Sequence, residues 1–337
     1  MHKRLDWIDS LRGIAILLVI LGHCTPYIGH KAHIWHIIYS FHIPLFFIIS
    51  GYLFKEKNFL DLILKDLKRL LLPYIITLLI LLIYNLLKFP FNSYYIFKVS
   101  LLTILYGSGP VPVFIPYLGS VGCLWFLPTL FLTRLIFNLF LKVVKNKNIF
   151  KQILVLMFLV IMGYILKNIS FLPWGLDLAL VCQLFFFIGY TLNNQKVTLN
   201  KLSISSILIM IFLWYICIIN CAFDINLRIY RDFIIFCTGS ISGSILVIYL
   251  WNFLSNIKLL STFFIYVGKN SLIILCVHFL ETNIIPWNIL FKYNSFIELS
   301  NSNLLKLILL KFFIIITTCI LIKYITNFIK RFTYIKI

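Results

Sequence analysis

The sequence predicts an all-α protein, a polytopic integral membrane bundle of about ten transmembrane helices with both termini cytoplasmic. Three observations lead there. Hydrophobic residues make up 62% of the 337 residues and charged residues 12%, about half the charge of a soluble domain. Apolar runs of membrane-spanning length recur from one end of the chain to the other. The Lys and Arg residues behind the net charge of +20 sit mainly in short segments between those runs. That is the pattern of membrane loops, not of a nucleic-acid-binding face, so no nucleic acid is expected as a partner. Residues 1–337 read as one membrane domain, with no internal repeat and no soluble module.

Spans are expected at roughly 11–29, 36–54, 70–88, 123–141, 152–168, 177–193, 203–221, 233–253, 263–283 and 304–325. The first contains Arg12 and carries Gly22-His23 with no small-residue cleavage site, so it reads as a retained helix and not a signal peptide. In the second, Ser50-Gly51 suits close helix packing. Lys68-Arg69 precede Pro73 at the start of the third. The run 94–106 is too short and too Tyr-rich to span, and is expected at an interface or as a re-entrant piece. The surrounding loop, about 89–122, holds Pro90, Gly107-Ser-Gly-Pro110, Pro112, Pro116 and Gly119, which favour turns over helix. Trp125-Phe-Leu-Pro128 opens the fourth span as an aromatic anchor and a helix start.

With the N-terminus inside, nineteen of the 30 Lys and Arg residues fall in inner segments. Seven fall outside (Lys31, Lys88, Lys98, Lys167, Arg228, Arg231 and Lys292), and Arg134, Lys269, Lys306 and Lys311 lie within spans. This asymmetry sets the orientation. Eight Cys are scattered through apolar segments without a Cys-x-x-Cys pair. Cys217 and Cys221 share a helix face and read as packing, so neither a disulfide framework nor a metal site is expected.

Ionisable groups inside spans are costly and point to function. Eleven helical steps from Arg12 to His23 make three turns plus roughly 20°, with a rise of about 16 Å. The two side chains therefore share one face, a cation towards one surface and an imidazole towards the other. Counting from the outer ends puts His23, His42 and His278 within about six residues of that surface, in one layer of three helices. Glu281 is three residues beyond His278 on the same face, where it would fix the imidazole tautomer. The alternative for a membrane histidine is a hydrogen bond between helices. His2, His30, His33 and His36 lie at ends or in loops and read as solvated. A second layer, towards the inner surface, holds Arg12, Lys68, Arg69 and Lys269. Arg12 and Arg69 bracketing a cavity would make an anion site suited to phosphates. Asp9 could simply pair with Arg12, and Lys269 reads as an anchor. Arg134, deep in the fourth span, needs a partner or a wet cavity.

These pieces together resemble acyltransferase family 3, with the fucose 4-O-acetylase-like branch nearest. The likeness rests on Ile8-Asp-Ser-Leu-Arg-Gly-Ile-Ala15 with its Arg12–His23 spacing, Phe41-His-Ile-Pro-Leu-Phe-Phe-Ile-Ile-Ser-Gly-Tyr-Leu-Phe54 and Lys68-Arg-Leu-Leu-Leu-Pro-Tyr74. Leu124-Trp-Phe-Leu-Pro-Thr-Leu-Phe131 and Gly268-Lys-Asn-Ser-Leu272 before His278 complete it. It implies an inner-membrane, multi-pass enzyme moving an acyl group, usually acetyl, from cytoplasmic acyl-CoA to a hydroxyl of a surface or lipid-linked glycan. The family's key arginine and histidine fall on Arg12 and His23, its basic residue before the proline on Arg69, and its aromatic segment on Trp125. Acyl-CoA is then a co-substrate and no cofactor is permanently bound. The extra soluble domain of some members is lacking, which leaves acceptor choice to the outer loops.

In that reading His23 is the general base, Arg12 and His42 share the catalytic site, and Arg12, Arg69 and Lys68 hold acyl-CoA. Trp125, His278, Glu281 and Arg134 face the acceptor. A competing class is a transporter or flippase of a lipid-linked or small anionic substrate. The sequence lacks the inverted repeat and paired broken helices that such carriers use. A scaffold within a glycan-assembly complex would need no cavity.

Overall fold

The computed structural model describes residues 5–24, 32–112, 115, 117–168, 171–195, 202–220, 223–291 and 300–334, the last stretch with side chains to 326. His2, His30, Lys31, Pro116, Cys221 and Lys292 lie outside the described residues.

Among the described residues the chain is α-helical, with one isolated antiparallel bridge between Asp224 and Ile229. The helices are α1 (Asp6–Cys24), α2 (Ala32–Tyr52), α3 (Phe59–Asp66), α4 (Leu72–Lys88), α5 (Ser93–Tyr106), α6 (Phe126–Val144), α7 (Ile149–Leu166), α8 (Leu176–Val181), α9 (Gln183–Asn194), α10 (Ile204–Ile219), α11 (Phe233–Leu254), α12 (Lys258–Lys269), α13 (Ser271–Ile284), α14 (Trp287–Leu290) and α15 (Asn301–Tyr334).

Among the described residues all ten expected spans coincide with helix, but not all are simple spans. Seven described helices are long and apolar enough to cross a membrane, and up to nine if each of two bent pairs counts as one. The expected seventh span is α10, with 16 residues. The expected sixth and ninth are broken, α8 against α9 by 55° and α12 against α13 by 70°, which corrects the reading of unbroken spans. At the second break the Asn270 side chain donates to the Tyr266 carbonyl at 2.6 Å, an asparagine competing with the helix ladder for its own acceptor. In the expected loop about 89–122, the run read as an interfacial or re-entrant piece is helix α5, and the described residues from 107 to 121 are irregular. This helix ends on Gly107 at φ +64°, where a Cβ would lie 2.8 Å from Trp174.

The first helix is the element that others pack around: α1 contacts α12, α2, α13 and α15. Its backbone meets α12 closely, because a Cβ on Gly268 would stand 1.6 Å from the Asp9 carbonyl oxygen. Small residues at such a crossing let two membrane helices approach. Gly268→Ala is expected to force the pair apart and cost about 1–3 kcal/mol. Thermal unfolding of the detergent-solubilised protein would read this, and an unchanged midpoint would refute the contact. Ser50-Gly51 matches its reading as packing, since a Cβ on Gly51 would lie 2.0 Å from the Phe186 carbonyl of α9. Cys217, read as packing, is buried and meets Gly239 of α11.

Two prolines shape the functional region. Pro44 lies inside α2 and has no N–H for the Ser40 carbonyl four residues back. The Ser240 hydroxyl of α11 donates to that carbonyl at 2.5 Å, and the Trp214 indole of α10 donates to the Ser40 hydroxyl at 2.8 Å. Neighbouring helices thus satisfy what proline leaves open, as apolar surroundings require, and hold the turn that carries His42. Pro73 likewise cannot donate to the Arg69 carbonyl. The chain passes it with a π-helical turn over Leu67–Leu71, in which the Leu72 N–H bonds to Leu67. Such turns often mark functional sites, and this one carries Lys68 and Arg69.

Candidate functional site: three adjoining cavities along the first helix

A basic cavity of about 560 Å³ opens at the N-terminal end of α1. Arg12, Lys55, Lys57, Lys65, Arg69 and Arg134 line it against Asp9 and Asp66. That excess of cations suits a polyanion. Asp9 does pair with Arg12, at 3.3 Å. Arg134 has both a partner and a cavity: its Nε donates to Asp66 at 2.5 Å, and its guanidinium lies 5.2 Å from the Phe54 ring centre. It belongs to this basic cavity and does not join the histidines. Lys68 is exposed and lines none of the three cavities described here.

A second cavity, about 250 Å³, adjoins the first. Arg12, Ser50, Arg69, Leu70 and Leu130 line both. Lys269 borders it and pairs with Asp6 at 3.3 Å. Phe126 and Leu275 are shared with a third cavity, about 290 Å³, lined by His23, His42, Tyr39, Trp125, Asp224 and Asn226 among others. The three therefore run in a row along the Arg12–His23 face of α1.

His23 and His42 line this third cavity, and His278 adjoins it through the ring of His23. His23 lies in the last described turn of α1, with an exposed side chain. Its ring lies 5.3 Å from that of His278, centre to centre. His42 is buried, and its Nδ1 donates to the Ile38 carbonyl at 2.7 Å, which leaves Nε2 with the lone pair in the neutral ring. His278 is buried as well, and its Nδ1 donates to Glu281 at 2.8 Å.

Glu281 is the hub of a buried network. The Lys311 ammonium donates to it at 3.2 Å, the Thr282 hydroxyl at 3.0 Å and the Trp287 indole at 2.5 Å. A carboxylate so supplied with donors and a cation stays charged at low cost and holds the His278 ring. Sequence reasoning paired His278 with Glu281 but gave Lys311 no role. The available signal was a lysine inside the apolar final span. His33 is exposed and His36 half-buried on α2, away from the cavity lining.

The loop between α10 and α11 also reaches the third cavity, and nothing in its sequence had marked it. Asp224 is buried there and accepts the Leu227 N–H at 3.0 Å. Burial pushes the Asp224 carboxyl above its ordinary range, against the N–H groups of Leu227 and Asn226 and the charge of Arg228. Arg228, at φ +57°, grips Asp177 of α8 through Nε at 2.8 Å and Nη2 at 2.9 Å and bonds to the Asn226 carbonyl at 2.5 Å. This buried fork anchors the loop.

An apolar helical bundle enclosing a basic cavity, a connecting cavity and an imidazole cavity is a multi-pass membrane protein built around an internal site. The family model described as an acyltransferase domain, that of acyltransferase family 3, matches residues 5–325. The chain belongs to that family and is a membrane acyltransferase. No curated protein and no solved structure gives a significant match.

Proposed function

We propose that the protein is an O-acetyltransferase of the cell inner membrane, with both termini in the cytoplasm, moving an acetyl group from acetyl-CoA to a hydroxyl of a surface or lipid-linked glycan of the kind the fucose 4-O-acetylase-like branch serves. The observation that carries this reading is the row of cavities joining guanidinium groups at one end of α1 to imidazoles at the other. The phosphates of CoA sit with Arg12 and Arg69, with Lys68 at the mouth. The pantetheine arm passes the middle cavity and presents the thioester beside His23. His23 takes the proton of the acceptor hydroxyl as its oxygen attacks the thioester carbon. The tetrahedral intermediate collapses, the carbon–sulfur bond breaks, and the proton passes to the CoA sulfur. The Trp125 indole, or a protonated His42, donates to the oxyanion. His278, held by Glu281, supports the His23 ring, while Arg134 shapes the basic mouth and not the acceptor end. A transient acyl group on His23 is the two-step version of the same chemistry.

Purified protein given labelled acetyl-CoA and a candidate glycan tests this. Acetylated glycan supports the enzyme, whereas uptake into vesicles without product supports a carrier, the reading that the two broken spans favour. Arg12→Ala and Arg69→Ala are each expected to raise the apparent KM for acetyl-CoA about tenfold, the loss of one charge-assisted bond, with kcat changed much less. A fall in kcat at constant KM would remove both residues from CoA binding.

A further inference from the structure

The third cavity differs from the first in a way that bears on the acceptor. Its described lining holds a carboxylate and no Lys or Arg. Asp224 has one oxygen on the Leu227 N–H. The Asn226 amide oxygen is buried and has no hydrogen-bond partner among the described residues. It lies so close to Gly109 that a Cβ there would stand 1.9 Å away. Tyr39, stacked on Trp35 at 4.0 Å, gives a braced aromatic wall, and Trp125 gives another. At about 290 Å³ the chamber is at the lower end of small-molecule sites, room for one sugar ring.

We infer that Asp224 and Asn226 form the acceptor subsite, and that it takes a single neutral sugar ring by accepting hydrogen bonds from adjacent hydroxyls while rejecting sugars that carry a carboxylate. The inference rests on the proposed acyl transfer and names its acceptor class. Hydroxyls are donors that match two oxygen acceptors. Aromatic walls cover the apolar face of a ring. A uronic acid would bring a second carboxylate beside Asp224 with no Lys or Arg in the described lining to receive it, and like charges so placed are disfavoured. Arg228, which could have served, is committed to Asp177. His23 lines the same chamber and faces the ring that is held.

The test compares matched pairs of methyl glycosides and the corresponding methyl uronides, in the gluco, galacto and manno series, as acceptors for the purified protein with acetyl-CoA. Released CoA thiol and acetyl ester are the readouts. Neutral members should exceed their uronides at least tenfold in kcat/KM. Asp224→Asn, which keeps the Leu227 contact, should narrow that gap at least fivefold. Equal or better use of the uronides overturns the inference, and so does a gap that Asp224→Asn leaves intact. If no member of any pair speeds thiol release, the acceptor class is wrong. Acetyl-CoA binding, measured on the same sample, then shows whether the acyltransfer reading stands without it or fails too.

Discussion

Replacing His23 with alanine is expected to lower acetyl transfer by about 10²–10⁴-fold, the range removed with a general base, while the protein still folds in the membrane. The expectation comes from what each imidazole is free to do. His42 has Nδ1 on the Ile38 carbonyl and His278 has Nδ1 on Glu281, and both rings are buried. His23 is the exposed imidazole of the three, facing the cavity where an acceptor would lie. A sugar hydroxyl is too weak an acid to attack a thioester unaided near neutral pH, so losing the base is felt in kcat. Removing an exposed ring should barely move the thermal midpoint. Full transfer in the alanine variant would exclude His23 as the base and point to His42, whose Nδ1 is taken by the Ile38 carbonyl and whose Nε2 carries the lone pair.

The largest stability effect is expected at Arg228→Ala. Asp177 is 1% exposed and the Arg228 side chain 4%. Deleting the guanidinium strands a carboxylate in an apolar setting, which costs about 3–5 kcal/mol. The same change removes the contact of Arg228 with the Phe171 ring, 4.8 Å from its centre, and frees the loop that carries Asp224. Chemical unfolding in detergent measures the loss. Coupling should be visible in the double variant: Asp177→Ala with Arg228→Ala should unfold less readily than the two single losses predict when summed, because neither charge is then left alone. A single-variant loss below about 1 kcal/mol would show that the pair is not isolated from water.

Much of this protein is legible without coordinates because a membrane imposes a simple rule. Backbone polar groups must be satisfied within each span, so long apolar runs can be read as helices, and the described residues of each expected span fall largely in helix. Helical phase is equally local, and it brought Arg12 and His23 onto the face of α1 that the cavities follow. Packing at Gly51 and the pairing of Glu281 with His278 were readable for the same reason: each needs only a residue's size or its distance along one helix. Other features depend on partners far away in the chain. Lys311 reaches Glu281 across 30 residues, Arg134 reaches Asp66 across 68, and Arg228 reaches Asp177 across 51. No periodicity encodes which buried charge will meet which. The breaks at α8–α9 and α12–α13 also escaped a hydropathy reading, since a bent pair and a straight span have the same apolar content. Local covalent and helical geometry wrote the elements and the shared face, whereas the folded packing of distant segments assigned each buried ion its counter-charge and brought Asp224 to the chamber.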